Sequence, residues 1–78
     1  MALLPGGGYA DYVSVKRSHT QPLIKDFCTS AAFPEVLCTA YQLTHWIAQA
    51  RPGQIAIVHA AASGVGSALI KFLKAHGC

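Results

Sequence analysis

The run Ile55-Ala56-Ile57-Val58-His59-Ala60-Ala61-Ala62-Ser63-Gly64-Val65-Gly66, continued by Ser67-Ala68-Leu69-Ile70-Lys71-Phe72-Leu73, constrains this 78-residue chain more than any other stretch. A continuous apolar run suits a parallel strand covered on both faces. The small residues after it suit a tight turn, and the pattern beyond Gly64 is helical. Such a turn lets backbone amides approach a phosphate closely, and the helix start adds unpaired N–H groups and the positive end of its dipole. Counted back from Gly66 as the last glycine of G-x-G-x-x-G, the first two positions hold Ala61 and Ser63, so the glycine pattern is degenerate. The turn therefore reads either as a pyrophosphate cradle or as a strand-to-helix connection kept small for packing. Gly66 falls where helix and strand would approach most closely.

The rest of the chain supplies one strand and two helical segments. Tyr9, Asp11, Val13 and Val15 alternate with Ala10, Tyr12 and Ser14, which predicts a strand after the Gly6-Gly7-Gly8 turn. Lys16 to Thr20 reads as a polar turn. Thr29 and Ser30 are candidate N-caps for a short helical turn. Pro34 fits the first turn of a longer helix, along which Val36, Ala40, Leu43 and Ile47 form one apolar stripe until Arg51-Pro52-Gly53. Gln54 to His59 is the expected buried strand. The last helix is expected from about Gly64 to His76, with Val65, Leu69, Phe72 and His76 on one face and Gly77 ending it.

Composition narrows the function classes. Apolar residues make up 53% and charged residues 12%, which is the interior-rich balance of a globular chain rather than a disordered one. Six Lys and Arg against three Asp and Glu leave a net charge of +3, but the basic residues are scattered and form no nucleic-acid stripe. The longest apolar run is too short to span a bilayer, and no secretory signal is visible, which points to the cytoplasm. Cys28, Cys38 and Cys78 are odd in number and form no C-x-x-C pair, and the four histidines are dispersed. Neither a disulfide framework nor a structural zinc site is expected, and no metal ligand is assigned.

Tyr9-Ala10-Asp11-Tyr12-Val13, Ala31-Ala32-Phe33-Pro34, Leu37-Cys38-Thr39-Ala40-Tyr41, Arg51-Pro52-Gly53 and the Ala-Ala-Ser-Gly-Val-Gly turn follow one another in one order at one set of spacings. In these motifs the chain resembles the zinc-independent quinone oxidoreductases of the medium-chain dehydrogenase/reductase superfamily, from Met1 to Gly77. The resemblance implies an α/β fragment of a longer protein. Residues 1–33 correspond to the end of a GroES-like catalytic domain, 34–53 to a connecting helix, and 54–78 to the first strand and helix of a nucleotide-binding Rossmann domain. Met1 matches an internal family position, so a fragment, a truncated gene model or a splice product is expected. Ile24-Lys25-Asp26-Phe27-Cys28 departs from the family, which carries a slightly longer, Pro-rich and acidic segment there.

The same resemblance implies hydride transfer from NADPH to a quinone or related conjugated carbonyl in a homo-oligomeric parent, without zinc; no nucleic-acid or membrane partner is expected from the charge and apolar pattern. Ser63, Gly64, Val65 and Gly66 match the family's pyrophosphate turn. Thr39 matches a threonine near the nicotinamide, although a helix threonine can equally bond back to its own backbone. No catalytic residue is assigned. A second function class stays open: a catalytically inactive product that acts through protein contacts. Either way, a 78-residue chain without a second parallel strand is expected to be marginally stable and inactive alone.

Overall fold

A computed structural model describes residues 1–78. The chain divides into two units, Met1–Glu35 and Val36–Cys78. In the first unit, the chain start is tied to Gln21 in both directions: the Met1 amino group donates to Gln21 O at 2.6 Å, and Gln21 N donates to Met1 O at 2.7 Å. The pairing extends only to an isolated antiparallel bridge between Ala2 and Thr20, beside a 3-10 turn at Arg17–His19. The strand expected over Tyr9–Val15 is absent. Nothing pairs with it, and Tyr9 and Tyr12 are fully or almost fully exposed.

Helix α1 covers Phe27–Ala31. Its N-cap is Asp26, not the expected Thr29 or Ser30. One carboxylate oxygen accepts Thr29 N at 2.8 Å and the other accepts the Thr29 hydroxyl at 2.7 Å. The two N–H and O–H donors hold the Asp26 carboxyl below its ordinary range. Ser30 is buried for a different purpose: its hydroxyl oxygen accepts Ile24 N at 3.0 Å and Lys25 N at 3.2 Å, closing the loop before α1.

Helix α2 covers Phe33–Tyr41 and runs on into a π-helical turn over Gln42–Ile47. The change of pitch corrects the expected apolar stripe. Ala40 is fully buried, but Ile47 is 73% exposed. Ala48 N reaches back five residues to Leu43 O at 2.9 Å, and Ala50 N reaches six to Thr44 O at 3.0 Å. The wider turn rotates Ile47 out of line with Val36, Ala40 and Leu43. Within the π turn lies Thr44, whose buried hydroxyl donates to Ala40 O at 2.8 Å and so competes for the carbonyl that an α-helix would give to the Thr44 amide.

Helix α3 covers Gly64–Ala75. It ends in a Schellman motif: Gly77 N donates to Lys74 O at 3.2 Å and Cys78 N to Leu73 O at 2.9 Å, with Gly77 at φ 89°. This end is stapled to the turn that precedes the expected strand. Gly53 N donates to Gly77 O at 2.7 Å, His76 Nε2 donates to Ala50 O at 2.9 Å, and the Cys78 thiol donates to Arg51 O at 3.3 Å. At the other end of α3, Gly66 lies against the backbone of Ala60 and Ala61.

Residues 53–60 therefore run alongside α3 between two fixed points. From Gly66 to Gly77 a helix advances roughly 17 Å. Seven links must cover that, about 2.4 Å each, more than a helix's 1.5 Å and within a strand's reach. Yet no β-ladder forms, and the α/β expectation is not met as a sheet: a strand exists by pairing, and no second segment pairs with this one. The burial expected of it is also missing. Ala56 and Val58 lie along Ile70 and Leu73 of α3, while Ile55 and Ile57 are 97% and 84% exposed. The solvent-accessible surface of 6375 Å² exceeds the roughly 4,500 Å² expected of a folded monomer of 8.2 kDa, so the apolar residues do not gather into a full core. Only Ala40, Ala68, Ser30 and Thr44 have side chains that are buried.

Candidate functional site

The turn between the extended segment and α3 is built from the residues singled out in the sequence. Ala60 adopts the left-handed region at φ 51°, and its carbonyl accepts Ser63 N at 2.9 Å. Ser63 is the N-cap of α3: its backbone is extended, and its hydroxyl oxygen accepts Gly66 N at 3.0 Å. Its carbonyl accepts Ser67 N at 2.8 Å. Of the first four helical amides, those of Gly66 and Ser67 are thus satisfied within the turn. The amides of Gly64 and Val65 have no acceptor in the chain. They are the donors the turn offers to an anion, with the helix dipole behind them.

Each glycine has its own reason. A Cβ on Gly66 would overlap the Ala60 carbonyl oxygen and lie 3.0 Å from Ala61 Cα, so only glycine permits this approach. A Cβ on Gly64 would meet Val36 Cγ2 at an ordinary 3.4 Å. Gly66 is a packing residue whose own amide is spent on Ser63, while Gly64 carries an open donor. Ser63, Gly64, Val65 and Gly66 are therefore brought together as expected, but with divided roles. Thr39 sits half-buried on α2, one turn along from the Val36 that borders Gly64.

Sequence reasoning missed a cluster of rings where the end of α2 and the π turn face the C-terminal part of α3 and its cap. Tyr41 and His45 stack with centroids 4.3 Å apart, and Phe72 meets both edge-on at 6.3 and 6.2 Å. His76 stands 5.2 Å from His45, and Trp46 flanks Tyr41. The available signal was a pair of four-residue spacings, Tyr41/His45 and Phe72/His76, one on each helical segment. An apolar groove of about 640 Å³ lies among Leu43, Ile47, Ile55, Val58, Leu69 and Leu73. No group of three or more His, Cys, Asp or Glu side chains gathers in a metal-binding arrangement. No helix is long and apolar enough to cross a membrane.

Similarity to known proteins falls on reducing polyketide synthases and a quinone oxidoreductase. The chain is 38% identical over 73 residues to the reducing polyketide synthase pksF of Alternaria solani, covering 91% of this chain and 3% of that protein. It is 37% identical over 73 residues to the quinone oxidoreductase of Rattus norvegicus, covering 91% of this chain and 22% of that enzyme. A third relative, the highly reducing polyketide synthase curS1 of Aspergillus terreus, is 47% identical over 45 residues, 58% of this chain and 2% of that protein. The chain thus spans a small part of each. No protein-family model matches it, and neither does any solved structure. An oxidoreductase-like region is what these relatives share with the chain.

Proposed function

We propose that residues 54–75 form the strand–turn–helix of a medium-chain-type reductase domain. In this reading Gly64 and Val65 present their amides to the pyrophosphate of NADPH. The observation that carries the proposal is the division of labour at the turn. Two N–H groups are left open at a helix start, directly beside a glycine that cannot bear a side chain. No acidic side chain lies between Ile55 and Cys78 to repel a phosphate, and Lys71 and Lys74 follow on α3. The turn therefore fits the cofactor. The occurrence of the segment in both a quinone oxidoreductase and reducing polyketide synthases supports a reductase.

NADPH would supply the hydride, and the acceptor would be a quinone or another carbonyl conjugated to a double bond. The residues of this chain would bind and orient the cofactor: Gly64 and Val65 by hydrogen bonds, Ser63 by fixing the helix start, and Gly66 by letting the helix seat on the turn. Thr39, on α2 one turn beyond Val36, would lie toward the nicotinamide half. The test is fluorescence titration of NADPH against the chain and two variants, Gly66→Leu and Gly64→Asp, with helix content followed by circular dichroism. Both should weaken binding at least about tenfold, roughly 1.4 kcal/mol. Unchanged affinity in a folded Gly64→Asp variant refutes the assignment, because a carboxylate cannot share that position with a phosphate.

A further inference from the structure

We propose that His45 and His76 form an open two-histidine site for a borderline transition-metal ion such as Zn²⁺ or Ni²⁺, independent of the phosphate turn. Both imidazoles have one nitrogen committed to a main-chain carbonyl. His45 Nδ1 lies 3.2 Å from Tyr41 O, and His76 Nε2 lies 2.9 Å from Ala50 O. A carbonyl can only accept, so each of those nitrogens carries the proton. His45 Nε2 and His76 Nδ1 are left bare, each with a lone pair. A ring N–H held by a backbone carbonyl is the usual support of a metal-bound histidine, because it fixes the tautomer and the ring plane in advance.

The spacing of the rings suits one shared ion. Their centroids are 5.2 Å apart with planes at 72°. A metal 2.0–2.1 Å from each nitrogen lies roughly 3.2 Å from each ring centre. At a tetrahedral angle this puts the two centres about 5 Å apart. His45 stands on the π turn and His76 is the C-cap of α3, and the staple from Ala50 to His76 holds them together. Tyr41 stacked on one face and Phe72 edge-on restrain the His45 ring, while the site stays open to water. No Asp or Glu side chain belongs to residues 36–78, so the side-chain ligand set is two neutral imidazoles with water completing the shell. That set favours Zn²⁺, Ni²⁺ or Cu²⁺ over Mg²⁺ or Ca²⁺. The sequence hides the pair, because 31 positions separate its members.

The experiment is calorimetric titration of the full chain with Zn²⁺ and with Ni²⁺, repeated with Mg²⁺. One ion per chain is expected for the first two and none for the last. His45→Gln and His76→Gln should each weaken binding at least tenfold. The double variant His19→Gln/His59→Gln, which leaves the pair intact, should bind as the parent does. Nitrogen-15 spectra of the imidazoles should show the metal-induced shift at His45 Nε2 and His76 Nδ1, which a merely destabilised variant would not mimic. Absence of stoichiometric binding by the parent, equal binding by both single variants and the parent, or shifts confined to His19 and His59 would overturn the site.

Discussion

Two glycines separated by one residue should respond in opposite ways to the same added methyl group. Replacing a helical glycine by alanine ordinarily gains up to about 1 kcal/mol, because alanine has less backbone freedom to lose on folding. Gly64→Ala should follow that rule or stay within about 0.5 kcal/mol of the parent, since its Cβ meets only Val36 Cγ2 at 3.4 Å. Gly66→Ala should not. Its Cβ would run into the Ala60 carbonyl oxygen and sit 3.0 Å from Ala61 Cα, both backbone positions. That backbone cannot easily yield, because Ala60 is already at φ 51° and its carbonyl holds Ser63 N. Overpacking of this kind costs roughly 1–3 kcal/mol, more than the propensity gain, so a net loss of about 1–2 kcal/mol is expected. At about 4–8 °C per kcal/mol for a domain of this size, the two variants should melt well apart by circular dichroism at 222 nm. Amide exchange should place the loss in the first turn of α3. Equal melting of the two variants would refute the close approach of helix and turn.

Other perturbations separate the remaining contacts. Ser63→Ala removes the cap on Gly66 N and should cost about 1 kcal/mol in a melt, whereas Ser63→Asp should hold stability; equal losses would deny the cap. Gly77→Ala is strained at φ 89° and meets Pro52 Cβ at 3.3 Å, so the last turn of α3 should exchange its amides faster, and unchanged exchange would count against the Schellman staple. Asp26 has a folded-state pKa below its ordinary 3.8, so its contribution to α1 is present above that value and lost as pH falls through the folded pKa. Helicity of residues 27–31 by NMR should drop on acidification below about pH 4 in the parent, and Asp26→Asn should remove that acid-dependent step.

What was legible in the sequence is what local chemistry decides. The bounds of α3, its glycine stop and the tight seat of Gly66 all follow from residues within a few positions of one another, whereas the Ser63 cap was found only in the structure. The strands were not so decided. Gln54–His59 and Tyr9–Val15 carry strand patterns, but a ladder needs a partner segment, and pattern alone cannot supply one. Ile47 fell out of its stripe because a π turn shifts the register beyond Thr44, and a 3.6-residue template cannot foresee that shift. The cap of α1 went to Asp26 because two acceptor oxygens serve Thr29 twice, while Ser30 was drawn inward to the Ile24 and Lys25 amides. At the site, the composition of the turn was readable. The split between spent and open amides was not, since it depends on which hydroxyl reaches which N–H.

The staple at Gly53 and the seat at Ala60 also decide how any strand could join this chain. A free segment of alternating residues can slide by one position against a partner, and every slip exchanges its two faces. Residues 53–60 cannot slide, because Gly53 is tied to Gly77 and Ala60 is pressed against Gly66. Ala56 and Val58 lie along α3, and Ile55 and Ile57 stay exposed. An incoming strand therefore meets a template with one register, and much of the ordering entropy of the receiving side, about 1–2 kcal/mol per residue, has already been spent. Selectivity among joining strands would then rest on how well they cover Ile55 and Ile57.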